Sequence, residues 1–330
     1  MKCSIQAALA AVCLLPIAAA RAGPPADAAG IWTLQGENAS VTTLRLTDRY
    51  YTDGLRVGWT SPTGAASGFL ATLGQSLWGA GQQCIGFEVS HQIYTPAVTS
   101  TTIPDRHDRP YAGYLSANFS LISNTDTTRS LLALGLGVIG PAAGGDGLQN
   151  GFHDLIGQPG THGWGAQVPN SAAIELLHER TWRLPLTQFA ELETEVLPAL
   201  TVGFGTVRDY VQAGVTIRLG QGAGIEFRRA ATAPGTERRG RLRADAAFRV
   251  VHLRGHGRAS GRLRHAATGA TVPLRPTCQP DLGRGRVPGR LAMMAYGMRL
   301  TLAYVVQTQE FHGQAGGLHQ FGSAAVSVRF

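Results

Sequence analysis

Apolar and polar residues alternate along strand-length segments through most of the chain, whereas helical periodicity is nowhere sustained. A period of two residues is that of a β-strand whose two faces have different surroundings. In the last segment, one face carries Ala324, Val326, Val328 and Phe330, and the other carries Ala325, Ser327 and Arg329. The pattern therefore predicts an all-β chain whose strands separate lipid from a polar interior.

The alternation predicts twelve strands, separated by clusters of Gly, Pro, Asn, Asp and Thr. They lie near residues 30–40, 50–60, 83–94, 111–122, 129–139, 173–183, 187–200, 207–219, 243–254, 287–296, 298–309 and 319–330. The segment Leu184-Pro185-Leu186 predicts a short turn, and long loops are predicted over 61–82, 95–110, 141–172 and 255–286. Short periplasmic turns and long extracellular loops are typical of a transmembrane antiparallel β-barrel.

The first residues predict a secretory signal peptide over 1–22, which leaves 23–330 as a single outer-membrane β-barrel domain. Lys2 supplies a basic start, an apolar run extends from Ala7 to Ala20, and small residues precede the expected cleavage site. At the other end, a terminal Phe330 resembles the recognition signal of the barrel-assembly machinery, which we therefore expect as a partner.

Composition and charge narrow the classes of function. Charged residues make up 15% of the chain, and no apolar stretch of about 18 residues remains beyond the signal peptide, which disfavours a helical membrane protein. The net charge of +8 arises largely from arginines between Arg228 and Arg290. Such a run often marks a nucleic-acid surface. After an export signal we instead expect anionic lipid head groups or lipopolysaccharide phosphates, and no nucleic acid.

Cysteine usage leaves the disulfide state open. Two of the four cysteines, Cys3 and Cys13, lie in the predicted signal peptide. Cys84 and Cys278 remain in an oxidising compartment where they could pair.

Several polar segments interrupt the alternation with side chains that an inert barrel wall does not require. Asn38, at the end of the first predicted strand, offers an amide donor that could stabilise an oxyanion. His153 could act as a general base, because imidazole accepts a proton from water near neutral pH. Arg106 and Arg109 could hold phosphate oxygens bidentately. Each has an ordinary alternative as a turn residue, an incidental histidine or part of a solvated loop.

The order and content of these segments resemble the LpxR-type lipid A 3′-O-deacylase family over nearly all of the predicted mature chain. The strongest parts are Thr47-Asp48-Arg49-Tyr50-Tyr51-Thr52-Asp53-Gly54, Tyr94-Thr95-Pro96, Asp108-Arg109-Pro110-Tyr111-Ala112-Gly113, Gly137-Val138-Ile139-Gly140-Pro141, Gln149 with His153, Gln309-Glu310-Phe311 and His319-Gln320-Phe321-Gly322-Ser323.

The resemblance implies an outer-membrane barrel that hydrolyses an ester-linked acyloxyacyl chain of lipid A at a site between the barrel wall and the membrane surface. His153 matches the family's catalytic histidine, which activates water. Asn38 and Thr52 match catalytic positions that line the same site, where an amide and a hydroxyl can bind the carbonyl oxygen or position water. Gln149, Arg106 and Arg109 fall in segments expected to bind the substrate, the arginines through its glucosamine phosphate.

The resemblance also implies a calcium cofactor, from which this chain departs at one position. The family usually has an aspartate after the asparagine, and that carboxylate belongs to the calcium site. Here the residue is Ala39. Calcium takes six to eight oxygen ligands, so an alanine removes both a ligand and a negative charge. Candidate replacements are Asp48, Asp53, Asp108, Asp146 and Asp154.

Two functional hypotheses follow. In the first, His153 activates water for attack on a lipid ester; no Gly-x-Ser-x-Gly motif occurs, so a covalent acyl-enzyme is not favoured. In the second, the chain is a catalytically impaired barrel homologue with a structural or lipopolysaccharide-binding role. A general diffusion pore is disfavoured, because the interior of so small a barrel is largely filled by side chains.

Overall fold

Most of the described chain is β-strand in this computed structural model, which describes residues 28–40, 49–189, 192–207, 209–221, 245–253, 286–295, 298–307 and 319–330. The first seven strands are β1 (Ile31–Asn38), β2 (Tyr50–Thr60), β3 (Gln82–Thr95), β4 (Ala112–Asn124), β5 (Thr128–Ile139), β6 (Ser171–Trp182) and β7 (Leu184–Phe189). The other six are β8 (Leu192–Gly205), β9 (Tyr210–Gln221), β10 (Asp245–Leu253), β11 (Arg286–Ala295), β12 (Met298–Gln307) and β13 (His319–Arg329).

The described strands form one antiparallel sheet of 13 strands. Strands that follow each other in sequence pair along most of this sheet, and β1 pairs with β13. The pairing of β6 with β8 joins the two ends of that order. Because β6 and β7 pair with successive parts of β8, the strands occupy twelve positions around the wall. This confirms the predicted antiparallel barrel of about twelve strands.

The two faces of the wall have opposite polarity. On β1, Trp32 and Leu34 are exposed, whereas Thr33, Gln35 and Glu37 are buried. Other exposed apolar residues on the outward face include Leu55, Val57, Leu115, Phe119, Leu134, Leu136, Ile174, Leu176, Leu300 and Leu302. Buried polar residues on the inward face include Glu88, Ser90, Ser116, Arg129, Thr181, Arg218 and Thr301. Apolar side chains outside and polar ones inside are what a strand needs between lipid and a polar interior.

The last strand has the two faces that the sequence predicted. Val326 and Val328 are exposed, and Ala325 and Ser327 are buried.

Charged side chains inside the barrel pair with one another. Glu195 is 1% exposed, accepts a hydrogen bond from Arg183 Nε over 2.6 Å, and forms a second ion pair with Arg218. Elsewhere in the wall, between β2 and β3, Arg56 Nη1 lies 3.8 Å from Glu88 Oε1. Because a buried charge is costly unless it is paired, these contacts hold the inward faces of neighbouring strands together.

The strand ends form two rims. At the upper rim β1 ends at Asn38, β2 begins at Tyr50, and the connections 96–111 and 140–170 are long. At the lower rim lie Ile31, Phe330 and the short connection 125–127. The connection 61–81 is also at the lower rim. It is therefore long at the end where the sequence predicted short turns, which corrects that expectation.

Two helices lie within segments that the sequence predicted as long loops. They are α1 (Gly68–Trp78) and α2 (Gly145–Ile156), and short 3-10 helices span Pro141–Ala143 and Gly163–Ala166. Each α-helix has only about three turns, too few to establish a long periodic pattern in the sequence. α1 packs outside the wall, where Trp78 is buried with Leu121 and donates a hydrogen bond to His178 over 3.1 Å.

The predicted turn at Leu184-Pro185-Leu186 is wrong, because these residues belong to β7. A proline such as Pro185 predicts a turn because it has no backbone N–H to donate to a neighbouring strand. An edge strand tolerates proline, since one of its sides has no neighbouring strand. β7 is such a strand, since among the described strands it pairs with β8 alone, and all six of its residues are exposed.

Other predictions lie wholly or partly outside the described residues. The signal peptide over 1–22, Cys278, and most of the Arg-rich region belong to this group. Cys84 is buried. Among the described residues, no helix is both long and apolar enough to span a membrane.

We predict that Glu195→Ala destabilises the barrel by about 3 kcal/mol, because the change leaves Arg183 and Arg218 without their shared buried carboxylate. Urea unfolding in lipid vesicles measures this change. Glu193→Ala is the control, since Glu193 is 32% exposed and lies 3.8 Å from Arg183. Equal unfolding midpoints for the two variants would contradict the prediction.

Candidate functional site

The candidate residues of β1 and β2 lie in one row across the upper rim. Asn38 pairs with Gly322 of β13 on one side and with Asp53 of β2 on the other. Asp53 pairs with Ile93 of β3, which pairs with Gly113 of β4. Since Glu37 faces the interior, Asn38 is on the outward face, and so is the rest of this row. The row therefore faces the zone where the wall meets the membrane surface.

The turn after β1 fixes the orientation of the Asn38 amide. Its Oδ1 accepts a hydrogen bond from the backbone N–H of Ser40 over 2.6 Å, as in an Asx turn. The backbone N–H of Ala39 donates to the carbonyl of Thr52 over 2.9 Å. Because the amide oxygen is held by the backbone, the Nδ2 group is the part of Asn38 suited to donate to a ligand.

The start of β2 is irregular at Thr52. The pairing with β3 shifts between Tyr51 and Asp53, so Thr52 is an extra residue in the ladder. Two residues earlier, Tyr50 has φ 67, a left-handed conformation that is uncommon for a residue with a large side chain. Thr52 is 1% exposed and its hydroxyl lies 2.6 Å from that of Thr95. Bulges and strained residues often occur at functional sites because they re-aim side chains.

Ala39 lies in an apolar cluster, at the position where the resemblance implies a carboxylate. It is fully buried with Tyr51, Val305 and Phe321. The ring centroids of Tyr51 and Phe321 are 4.9 Å apart.

Of the suggested replacement ligands, Asp53 is paired with Asn38 across β1 and β2, and its Oδ1 accepts a hydrogen bond from the backbone N–H of Gly54. The described residues contain no cluster of three or more His, Cys, Asp or Glu side chains that could hold a metal. Asp108 accepts hydrogen bonds from the backbone of Ala97 and Arg109, and Asp146 accepts one from Asn150. Asp48, another suggested replacement ligand, lies outside the described residues.

α2 is attached to the outside of the wall through small residues. It contacts β3 and β4. A Cβ atom added to Gly113 would lie 3.0 Å from the backbone nitrogen of Gly145, and one added to Gly145 would lie 2.6 Å from Trp164. His91 Nε2 lies 2.8 Å from the carbonyl oxygen of Ala143, just before the helix. The glycines thus allow a close approach that larger residues would prevent.

The end of α2 positions His153. Gly157 ends the helix with φ 68, and the backbone N–H of Gln158 donates to the His153 carbonyl over 2.9 Å. The reversed chain brings the Pro159 carbonyl oxygen to 2.7 Å from His153 Nδ1. A carbonyl oxygen accepts hydrogen bonds and cannot donate them, so Nδ1 carries the proton in this contact. In the neutral ring, Nε2 is then the nitrogen that can accept a proton.

A network of amide groups holds the loop that carries Pro159. Asn150 Oδ1 accepts from the backbone N–H of Thr161 over 2.8 Å, and its Nδ2 donates to the Thr161 carbonyl over 3.1 Å. Gln149 is 4% exposed, and its Oε1 accepts from Trp164 Nε1 over 3.0 Å. Gln149 therefore supports the loop from inside, and its role in binding the substrate stays a prediction.

The two candidate arginines lie in the connection between β3 and β4. Arg106 is exposed, whereas Arg109 is partly buried with its guanidinium carbon 4.7 Å from the centre of the Tyr94 ring. The same loop is braced at Asp105, whose Oδ1 accepts a hydrogen bond from the backbone N–H of His107 and lies 3.1 Å from its ring nitrogen. These contacts lower the pKa of Asp105 below its usual range.

Apart from the two arginines, the candidate residues therefore form two groups on the upper rim. Asn38 and Thr52 lie at the ends of β1 and β2, where the Ala39 N–H donates to the Thr52 carbonyl, and His153 and Gln149 lie on α2, which contacts β3 and β4. The sequence analysis missed Asn150 and the Pro159 carbonyl, although an asparagine inside a helix is unfavourable enough to suggest a special role.

Comparison with known proteins gives consistent matches. A family model described as "Outer membrane protein LpxR" matches residues 5–330. The structure of LpxR from Salmonella typhimurium matches with a TM-score of 0.72 at 16% identity, covering 91% of this chain and 100% of that chain.

Two autotransporter domains match with lower scores. The beta domain of Bordetella BrkA has a TM-score of 0.46 at 11% identity, covering 92% of this chain and 99% of that chain. The translocator domain of NalP from Neisseria meningitidis has a TM-score of 0.38 at 9% identity, covering 100% of this chain and 94% of that chain. The search of curated proteins gave no match.

We predict that Gly145→Val detaches α2 from the wall, because the added side chain meets Trp164 and the backbone of Gly113. Backbone amides of α2 should then exchange hydrogen faster, while those of the strands stay protected. Gly147→Ala, on the same helix and with nothing within 4 Å of the added Cβ, is the control and should slow exchange. Unchanged exchange in Gly145→Val would show that the close contact does not hold the helix.

Proposed function

The chain belongs to the LpxR family of outer membrane proteins, and we propose from this premise that it is an outer-membrane lipid A deacylase. The substrate is lipid A within lipopolysaccharide, and the bond hydrolysed is the ester of its 3′-acyloxyacyl chain. The observation that carries the proposal is the contact of His153 Nδ1 with the Pro159 carbonyl oxygen at 2.7 Å, because it leaves Nε2 as the proton acceptor that a general base requires.

The proposed reaction is a direct attack by water. His153 Nε2 takes a proton from water, and the hydroxide oxygen forms a bond to the ester carbonyl carbon. The bond between this carbon and the sugar oxygen then breaks, and the proton on His153 passes to the leaving sugar oxygen. The products are a free acyloxyacyl carboxylic acid and lipid A with a 3′-hydroxyl group.

Asn38 is proposed to stabilise the oxyanion that forms during this attack. Its Oδ1 is held by the Ser40 backbone at 2.6 Å, which pre-orients the Nδ2 donor on the outward face of β1. A pre-oriented donor stabilises developing charge without having to reorganise during the reaction.

The remaining candidates are proposed as binding and positioning residues. Thr52 supports the end of β2 through Thr95, and Gln149 with Asn150 supports the loop that orients His153. Arg106 and Arg109 would hold a phosphate on the glucosamine, because guanidinium groups match the geometry of phosphate oxygens.

No step of the proposed reaction passes through calcium. Ala39 has no carboxylate and packs with Tyr51, Val305 and Phe321, and the described residues offer no acidic cluster in its place. We propose that hydrolysis in this chain depends on His153 and Asn38 without the family's metal.

Two further proposals concern the path to the membrane. The signal peptide over 1–22 is removed on export, and Phe330 is recognised by the barrel-assembly machinery. Phe330 is 64% exposed next to the end of β13, where such a partner could reach it.

We predict that His153→Ala lowers the deacylation rate by about 100- to 10,000-fold, the range typical of general-base catalysis. Mass spectrometry of lipid A from cells expressing the protein measures the loss of the acyloxyacyl mass. Asp154→Ala is the control, because Asp154 is the next residue of α2 and is exposed. Unchanged lipid A with the folded wild-type protein would instead favour the structural or lipopolysaccharide-binding role.

We also predict that a calcium chelator leaves the rate of the wild-type protein unchanged. Ala39→Asp should reduce stability without creating a calcium response, because its carboxylate would be buried among Tyr51, Val305 and Phe321. Deacylation measured with purified protein and lipid A, with chelator and then with excess calcium, checks both outcomes. A rate that falls with chelator and returns with calcium would contradict the metal-free proposal.

A further inference from the structure

One side of α2 is apolar and exposed. This side consists of Leu148, Phe152, Leu155 and Ile156. Residues three or four positions apart are neighbours on a helix surface, so the four side chains share one side of the helix. Leu155 is 81% exposed and Phe152 is 47% exposed. A cluster of this size on a short helix indicates a surface that is covered in the native environment.

The polar residues of α2 lie elsewhere on its circumference. Asp146, Asn150 and His153 are also spaced by three or four residues, and their contacts run to each other or to the loop after the helix. Successive helical residues are rotated by about 100°, so Leu155 and His153 are on different sides. α2 is therefore amphipathic. Its buried residues, Gly145 and Gln149, pack against the wall and the following loop, whereas its large apolar side chains are exposed.

The apolar side continues the lipid-facing surface of the barrel. α2 rests on Gly113 of β4, and the next outward residue of that strand is Leu115, which is exposed. On β5, Leu134 and Leu136 extend the same exposed apolar surface toward the lower rim. The helix is thus at the upper edge of the membrane-spanning belt, outside the wall.

We propose that α2 lies in the outer leaflet of the membrane, with Leu148, Phe152, Leu155 and Ile156 among the lipid acyl chains. An amphipathic helix at an interface buries its apolar face by about 5–10 Å. No charged side chain lies on this side of α2, as burial in lipid requires. The inference rests on the barrel and the position of the helix, and holds whether or not the protein turns over lipid A.

Spin labels on single cysteines test the proposal in vesicles that contain lipopolysaccharide. The labelled variants are Leu155→Cys, Asp154→Cys on the neighbouring exposed position, and Leu134→Cys on the lipid-facing wall, each in a full chain whose native cysteines are replaced by serine. Accessibility to oxygen, which partitions into lipid, is compared with accessibility to a water-soluble nickel complex.

We expect the Leu155 label to resemble the Leu134 label, with high oxygen and low nickel accessibility, and the Asp154 label to show the reverse. A Leu155 label as accessible to nickel as the Asp154 label would place the helix in water and overturn the proposal. A Leu155 label shielded from both reagents would show that protein, such as a second copy of the chain, covers this side, and would also overturn it. None of these readouts requires deacylation, so a failure of the membrane proposal can be distinguished from a failure of the proposed activity.

Discussion

The pairing of backbone groups around the wall is the constraint on which the rest of this structure depends. Lipid offers no hydrogen bonds, so every backbone N–H and C=O at membrane depth must find a partner within the protein. The pairings of β1 with β13 and of β6 with β8 meet this requirement at the two places where chain order alone would leave a strand edge. The alternation of the strands then places Leu34 toward lipid and Gln35 inside.

The candidate site is built outside this wall and at its edge. The wall fixes Asn38 through two neighbouring strands, whereas His153 is fixed by a helix end, a glycine at Gly157 and the carbonyl of Pro159. The positions of the two groups therefore depend on different interactions. The register of the strands positions Asn38, and the close packing of Gly113 against Gly145 positions the helix. A change in one can leave the other intact, which lets the chemistry of the rim vary while the barrel is retained.

The sequence predicted the wall well because the lipid boundary imposes a period of two on every strand. Val326 and Ala325 could be assigned to opposite faces from their order alone. Pro185 could not be placed correctly, because the same residue suits a turn or an edge strand. α2 was missed because about three helical turns are too few to establish a long periodic pattern in the sequence. The role of Asn150 depends on a backbone contact with Thr161, eleven positions further along the chain, which no local pattern reveals.

The pairing of β1 with β13 determines when the site can form during assembly of the barrel. Asn38 lies on β1, and its partner Gly322 lies on β13, which is synthesised after the twelve other described strands. Until β13 takes its place, β1 has an open edge, and the turn that orients Asn38 has support from β2 alone. A partly inserted chain therefore lacks one of the two strands that flank β1. The outward-facing site at the end of β1 is complete only after the barrel has closed.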